Sequence, residues 1–537
     1  MRMILLAALP LIALAEPLAA QTDDLNRVID EGLNRSQVMQ TAQHLTDDIG
    51  GRMTNSPQMR KAEAWTADQF QQWGLSNVHK DGFDFGRGWS INTAYSRMVS
   101  PRPIMLTSIP VAWTPPTAGV LSASIVVAPM KKERDFANWR GKLAGKIVLI
   151  SLPGEGSEPT EAAFKRLSAE DISKRDAYAQ PDWDPEDLEK RIVARGFARK
   201  LDAFLKAEGA LAWARISYRD AKLVHGEGYM FHVGETPALP GIELAAEDYR
   251  RLARLAKAGK APVLEIMSDV AFDDSDTKAY NIIAEIKGTD KGAAYVMAGA
   301  HLDSWVAGDG AADNGAGSAM IMEAARILAQ TGVKPKRTIR FVLWAGEEQG
   351  LLGSMAYVDT YLATRAPAPA SGPGPVDSFE QYLRYRYRFP ITPRPGYGDL
   401  KAYFNIDNGS GKLRGIYAEG NVAAVPLLKE WLAPFASMGA TGIVAAPTTG
   451  TDHVLMQMVG VPAYQFLQDP LDYGSRVHHS SLDTFDHLKA EDMRQGAIIL
   501  AGMLLQAANS AKTLPRMPLP TQAGVTDPFK YHDPADD

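Results

Sequence analysis

The sequence predicts an α/β fold whose strands end in polar side chains, and three segments carry this prediction. The apolar run AAYVMAGA (293–300) is followed by a glycine-rich polar loop and then by SAMIMEAARILAQ (318–330), which is apolar at helical spacing. Two further apolar runs, TIRFVLWAG (338–346) and LKAYFNID (400–407), are followed by or end in acidic residues. In open α/β sheets ligands bind at the carboxyl ends of the strands, so we expect a functional site at this edge.

The polar residues at these strand ends are of the types that bind a divalent metal ion. The glutamates 347 and 348 are adjacent, and side chains alternate along a strand, so one can bind a metal while the other faces a reacting water. Imidazole and carboxylate groups together suit Zn²⁺ or a similar ion. The candidates are His301, Asp303, Asp313, Glu347, Glu348, Asp407, His478 and His479.

Five motifs that contain these residues resemble peptidase family M28, a family of co-catalytic zinc aminopeptidases. They are AHLDSW, GAADNGAGSA, WAGEEQGLLGS, NIDNGSG and HHSSLDT, in the order of the family. HLDSW with the double histidine resembles the carboxypeptidase Q branch. The resemblance covers nearly all of the mature chain. It implies a three-layer α/β/α zinc-exopeptidase (phosphorylase/hydrolase-like) domain with a mixed, mostly parallel sheet, and an inserted β-rich protease-associated (PA) domain.

The resemblance also implies a role for each residue and two Zn²⁺ ions per chain. One ion would be bound by His301 and Asp407, the other by Glu348 and His479, with Asp313 bridging them and Glu347 as the general base. We choose His479 because it lies four residues before Asp483, as in the family motif, and His478 is the alternative. Asp303 would accept the outer N–H of His301. The peptide bond between residues 313 and 314 would be cis.

Length and composition bound the class of protein. A chain of 537 residues is too long for one ordinary core, so more than one domain is expected. The net charge of −6, with no basic stripe or phosphate-binding loop, gives no reason to expect a nucleic-acid partner. The chain has no cysteine, which excludes disulfides and thiolate metal sites.

The first twenty residues predict export. Arg2 is followed by the short apolar core MILLAALPLIALA and then by EPLAA, which is typical of a secretory signal peptide over residues 1–20. Cleavage after Ala15 or after Ala20 is consistent with this pattern. The apolar core is too short to span a bilayer, so we expect a periplasmic or extracellular protein with no membrane anchor. An ordinary buried N-terminal helix is the alternative.

The remaining segments divide the chain into domains. We expect the catalytic domain at 21–125 and 273–510, and a PA insert at 126–272, where a GKIVLI strand and a helix lead into a strand of small residues. A Pro/Gly-rich insertion at 363–400 is either a lid or dimer contact, or a surface segment with arginine stems packed on aromatic rings. Residues 511–537 form a Pro-rich tail that either drapes over the surface or is disordered.

The combined hypothesis is an exported di-zinc exopeptidase. The resemblance implies hydrolysis of the N-terminal peptide bond of unblocked short peptides or dipeptides. A homodimer is a hypothesis based on the family. Two other functions on the same fold remain: a glutaminyl cyclase, which uses one zinc ion, and a non-catalytic binding protein. The intact Asp313 and the PA insert argue against the cyclase, and the retention of all six ligand and base positions argues against the binding protein.

Overall fold

Two eight-stranded sheets form the framework of the chain. This computed structural model describes residues 16–157, 160, 162–176, 185–235, 237–367, 380, 384–385 and 387–521. Three parts of the predictions lie outside the described residues: 1–15 of the signal segment, 368–379 of the Pro/Gly-rich insertion and 522–537 of the tail.

The regular elements have the following bounds. The strands are β1 (Ser76–Asp84), β2 (Gly88–Ser100), β3 (Ile104–Leu106), β4 (Ser108–Pro110), β5 (Leu121–Val127), β6 (Ile147–Leu149), β7 (Ala212–Ile216), β8 (Gly241–Leu244), β9 (Val263–Asp273), β10 (Lys278–Ile286), β11 (Tyr295–His301), β12 (Thr338–Trp344), β13 (Ala363–Arg365), β14 (Ile391–Pro393), β15 (Leu400–Asn405), β16 (Leu413–Tyr417), β17 (Gly442–Val444) and β18 (Ala463–Gln468). The α-helices span Glu16–Asn34, Val38–Gln43, Pro57–Gln72, Ala169–Lys174, Pro185–Ala207, Ala246–Lys257, Ala316–Thr331, Leu352–Tyr357, Val425–Leu432, His453–Gln457 and Ala490–Asn509.

The first sheet has the strand order β1-β10-β12-β11-β15-β18-β16-β17 and is mixed, as predicted. Its centre, β12-β11-β15-β18, is parallel, whereas β1 and β10 join antiparallel at one edge. Along β11, Val296 and Ala298 pack into one buried cluster, while Tyr295 and Met297 pack into another. Because successive side chains of a strand point to opposite faces, the sheet has a core on each side. The α/β prediction is confirmed, and helices cover both faces.

Local sequence sets the start of the helix at Pro57–Gln72. Ser56 is extended, and its hydroxyl accepts a hydrogen bond of 3.1 Å from the main-chain N–H of Met59. Pro57 occupies the first turn, where its missing N–H would have no helical partner. The dipeptide Ser56-Pro57 therefore sets where this helix begins.

The second sheet has the order β3-β2-β9-β5-β6-β7-β8-β4 and spans residues 88–273. The predicted GKIVLI strand, helix and strand of small residues correspond to β6, the helix Pro185–Ala207 and β7. The sheet begins earlier than the boundary we placed at residue 126, because β2 pairs along its length with β9. Residues 88–125, which we assigned to the catalytic domain, therefore belong largely to this sheet.

The described parts of the 363–400 insertion and of the C-terminal tail both pack against the first sheet. Within the 363–400 insertion, β13 pairs with β14, and the guanidinium of Arg365 lies 4.6 Å from the ring centroid of buried Tyr385. This contact favours the interpretation of arginine stems packed on rings. In the tail, Arg516 donates to the main-chain oxygen of Leu400 at 2.6 Å, so the described part of the tail lies against strand β15.

At the N-terminus, the helix Glu16–Asn34 begins inside the predicted signal segment. Of the helices within the described ranges, none has both the length and the apolar character needed to cross a bilayer.

Candidate metal centre

His301 ends β11 and presents one ring nitrogen to a cluster of carboxylates. Its side chain is buried, and Nδ1 lies 2.9 Å from the main-chain oxygen of Asp303. Donation from Nδ1 to this oxygen leaves the lone pair of Nε2 for a metal ion. The carboxylate of Asp303 is farther away, with its Oδ1 3.8 Å from Nδ1. The residue is the predicted one, and the closer acceptor atom is on its main chain.

The carboxylate of Asp303 instead binds the turn that follows β12. It accepts hydrogen bonds of 3.3 Å from the main-chain N–H groups of both Glu347 and Glu348, and one of 3.1 Å from the hydroxyl of Thr54. These N–H groups lie beyond the end of the strand ladder and need a partner because they are buried. Asp303 thus fixes the position of the glutamate pair relative to His301.

Asp313 faces two histidines with different oxygens. Its Oδ1 lies 3.3 Å from Nε2 of His301, and its Oδ2 lies 3.3 Å from Nε2 of His479. It occupies the turn Ala311–Gly315, and the Asp313–Asn314 peptide bond is cis, as expected. The amide of Asn314 donates to the main-chain oxygen of Ile406 at 2.9 Å, which ties this turn to the end of β15. A carboxylate in this position can bridge two ions.

The two adjacent glutamates point to different histidines. Oε2 of Glu348 lies 3.0 Å from Nε2 of His479, whereas Oε2 of Glu347 lies 3.9 Å from Nε2 of His301. The prediction that the pair diverges is therefore confirmed. The longer distance leaves Glu347 at the edge of the cluster rather than in close contact with an imidazole.

Asp407 follows β15 and completes the group around His301. Its Oδ1 lies 3.3 Å from Nε2 of His301. The main-chain oxygen of Asp407 accepts a hydrogen bond of 2.9 Å from the amide of Gln465, on the neighbouring strand β18. The neighbouring parallel strands therefore bring His301 and Asp407 to the same sheet edge, as predicted.

His479, rather than His478, faces both Asp313 and Glu348. Nε2 of His478 is 3.7 Å from Oδ2 of Asp313, and its ring stacks on that of His479 with centroids 3.7 Å apart. The backbone of His479 has a φ of 57°, in the left-handed region that a residue with Cβ seldom adopts. The structure thus brings together all six residues that we predicted as metal ligands or base.

The donor set suits zinc in geometry. Zinc lies about 2.0–2.2 Å from nitrogen and oxygen ligands, so two ligands of a tetrahedral ion are about 3.3 Å apart. The nitrogen–oxygen distances of 3.0 to 3.3 Å in both groups match this value. Three buried oxygens have no hydrogen-bond partner among the described residues: Asp313 Oδ2, Glu348 Oε1 and Asp407 Oδ1.

The charge of the site also favours cations. Burial raises the pKa of the Glu347 carboxyl well above its ordinary value and raises that of Glu348 to about 7. Both shifts reflect the cost of placing several carboxylates together away from water. Divalent ions would offset this cost, since the nearby imidazoles cannot balance all of the carboxylates.

Two residues outside the motifs support the centre. Glu227, between β7 and β8, has Oε1 2.9 Å from Nδ1 of His479. The guanidinium of buried Arg52 donates to the main-chain oxygens of Asp309 and Gly310 at 2.8 and 2.7 Å. Arg52 lies in the loop before the helix Pro57–Gln72. No sequence signal marks Glu227.

The first sheet lies between helices on both of its faces. At the carboxyl ends of its parallel strands, two groups of histidine and carboxylate residues share Asp313. This combination of fold and site defines a metallopeptidase. Residues 281–503 match the model of "Peptidase family M28", the family that the motifs resemble. The chain is 24% identical to carboxypeptidase Q of Mus musculus over 475 residues, which are 88% of this chain and 86% of that protein. The branch that the motifs predicted is thereby confirmed.

Solved structures show the same fold. A peptidase M28 precursor from Shewanella amazonensis superposes with a TM-score of 0.64 at 24% identity, covering 94% of this chain and 99% of that one. A zinc aminopeptidase from Bacillus subtilis superposes with a TM-score of 0.54 at 18% identity, covering 89% and 97%.

Proposed function

We propose that this metallopeptidase is a di-zinc exopeptidase that removes the N-terminal residue from unblocked short peptides or dipeptides. The observation that carries the proposal is the position of Asp313, whose two oxygens each lie 3.3 Å from a different imidazole. A bridging carboxylate holds two ions about 3.5–4 Å apart, the separation found in two-metal hydrolases.

Within this proposal His301 and Asp407 would hold one zinc ion, Glu348 and His479 would hold the other, and Asp313 would be shared by both. Bound zinc would lower the pKa of water and polarise the substrate carbonyl. Glu347 acts as the general base: it takes a proton from the attacking water and returns it to the leaving amine. The distance of 3.9 Å between Oε2 of Glu347 and Nε2 of His301, longer than the distances of the proposed ligands, supports this role rather than that of a ligand.

The exopeptidase assignment is supported by the relatives. The similar Bacillus subtilis structure is described as a zinc aminopeptidase, and the similar mouse protein is a carboxypeptidase by name. The proposal follows the aminopeptidase, since the resemblance of the motifs is to that activity. We also propose that residues 88–273 are a PA domain, and that a homodimer forms in solution.

Export to the periplasm or the exterior rests on the predicted signal peptide. N-terminal sequencing of the protein recovered outside the cytoplasm should begin at residue 16 or residue 21. Recovery only from the cytoplasm, with residue 1 or 2 at its start, would reject this part of the proposal.

The activity is tested by mass spectrometry of a free dipeptide, its N-acetyl form and a longer peptide. The wild type should remove only N-terminal residues and leave the acetylated peptide intact. Glu347→Gln should lose turnover yet bind two zinc ions, because Glu347 is not a ligand in this proposal. The control is Glu491→Gln, at a carboxylate that is 80% exposed on the helix Ala490–Asn509.

Three outcomes would reject the proposal. Trimming from the C-terminus would mean that the residue roles are wrong. One zinc ion per chain with cyclisation of an N-terminal glutamine would indicate a glutaminyl cyclase. Neither zinc nor turnover would indicate a binding protein.

A further inference from the structure

Glu227 connects the second sheet to a histidine of the metal centre. Oε1 of Glu227 is 2.9 Å from Nδ1 of His479, and the side chains are only 20% and 21% exposed. Nε2 of the same ring faces Glu348 and Asp313. The two ring nitrogens of His479 therefore face different parts of the chain. Nδ1 faces the segment between β7 and β8 of the second sheet, and Nε2 faces the carboxylates at the edge of the first sheet.

This arrangement fixes the tautomer of His479. When Nδ1–H donates to the carboxylate, the hydrogen stays on Nδ1 and the Nε2 lone pair is directed at the ligand cluster. A negatively charged acceptor also makes the imidazole more basic and holds its ring plane. Nδ1–H of His301 donates the corresponding hydrogen bond to a main-chain oxygen two residues away. Nδ1–H of His479 donates instead to a side chain of a distant segment.

Strands of the second sheet hold Glu227 in place. Arg215 of β7 donates to the main-chain oxygen of Glu227 at 2.8 Å and to the carboxylate of Glu243, on β8, at 2.9 Å. The hydroxyl of Tyr218 donates to Oε1 of Glu227 at 3.3 Å. Because both strands are parts of a sheet, the position of Glu227 is fixed before any metal binds.

The segment that carries Glu227 also contacts the loop of His479. The main-chain N–H of Ser481 donates to the oxygen of Val224 at 3.0 Å, and Arg219 donates to the main-chain oxygen of His478 at 2.8 Å. These contacts set the distance between the two domains at this point.

We propose that Glu227 is a positioning residue that orients His479 for metal binding, so that the second sheet forms part of the metal centre. The inference rests on the proposed function, in which His479 is a zinc ligand. Under this inference, the segment that forms the second sheet is needed to bind one of the two zinc ions, in addition to any role in substrate binding.

The test is a zinc titration against a chromophoric chelator, with Glu227→Ala, Glu227→Gln and a control. Glu227→Ala should weaken one of the two zinc equivalents by roughly 10- to 100-fold and leave the other unchanged. Glu227→Gln should recover part of this loss, because an amide oxygen still accepts from Nδ1–H. The control is Glu247→Ala, since Glu247 binds the main chain of the same segment at Ala221 and Lys222 but does not contact the histidine.

A second measurement separates positioning from damage to the fold. The cobalt-substituted Glu227→Ala enzyme should show a changed visible spectrum, whereas its metal-free form should unfold at the temperature of the metal-free Glu247→Ala form. If the wild type binds two zinc ions and Glu227→Ala binds both equally well, the inference is wrong and the proposed function stands. If the wild type binds no zinc, both are wrong.

Discussion

Asp483 holds Asp313 through a main-chain hydrogen bond: the N–H of Asp313 lies 3.0 Å from Oδ2 of Asp483. The other oxygen of Asp483 accepts from the N–H of Ala312 at 2.5 Å. The carboxylate is buried, so it is the partner of two amides that water does not reach. The position of Asp313 between His301 and His479 thus depends on a residue 170 positions away.

We therefore expect Asp483→Ala to lower both stability and zinc affinity. Each of the two buried N–H groups left without an acceptor costs about 1–3 kcal/mol, so the free energy of unfolding should fall by about 2–6 kcal/mol. Urea denaturation of the metal-free protein measures this change. Asp486→Ala is the matched control, since Asp486 is exposed in the same loop. Equal stability of the two variants would contradict the role of Asp483.

The histidine pair gives a second prediction. Only His479 contacts both Asp313 and Glu348, so His479→Ala should remove one zinc equivalent and lower kcat/KM by at least about 100-fold, or about 2.7 kcal/mol. His478→Ala should retain both zinc ions and activity within about tenfold, because Nε2 of His478 is 3.7 Å from its closest carboxylate oxygen at the centre. Zinc content and dipeptide hydrolysis distinguish the two. If His478→Ala lost the zinc equivalent and the activity while His479→Ala retained them, His478 would be the ligand.

The residues of the centre were predictable because they follow strands. His301, Asp407 and the glutamate pair come directly after or at the end of apolar runs, and parallel pairing of β12, β11 and β15 brings such ends together. The bridging role of Asp313 came from the family resemblance, since neither spacing nor composition distinguishes it from other loop carboxylates.

The failures concern contacts between distant segments. Glu227 lies 252 residues from His479, and nothing in its neighbourhood marks it as a partner of a histidine. The domain boundary was misplaced for a similar reason: β2 alternates like any strand, and only its pairing with β9 assigns it to the second sheet. Local patterns indicate that a strand forms, whereas its sheet depends on tertiary packing.

A third prediction concerns buried Arg52. Its guanidinium donates to five main-chain oxygens: Leu45, Gly50, Leu302, Asp309 and Gly310. A lysine has one nitrogen with three hydrogens, so Arg52→Lys leaves buried oxygens unpaired and should cost about 2–4 kcal/mol of unfolding free energy. Arg494→Lys, whose partner Glu491 is 80% exposed, is the control and should change it by less than about 0.5 kcal/mol. If Arg52→Lys and Arg494→Lys unfolded at the same urea concentration, the loops that carry these five oxygens would not depend on Arg52.

Removal of metal gives the last prediction. Chelation should abolish peptide hydrolysis, and addition of about two equivalents of zinc should restore it. A ligand that binds only the folded chain stabilises it, so free zinc at about 1,000 times its Kd should raise the free energy of unfolding by about 4 kcal/mol per site, seen as a higher Tm. Asp313→Ala removes the carboxylate that faces both His301 and His479, so it should lose at least one equivalent and most of the zinc-dependent rise in Tm. Calorimetry with and without zinc measures this rise, and an Asp313→Ala protein that still binds two ions tightly would rule out a bridging ligand at this position.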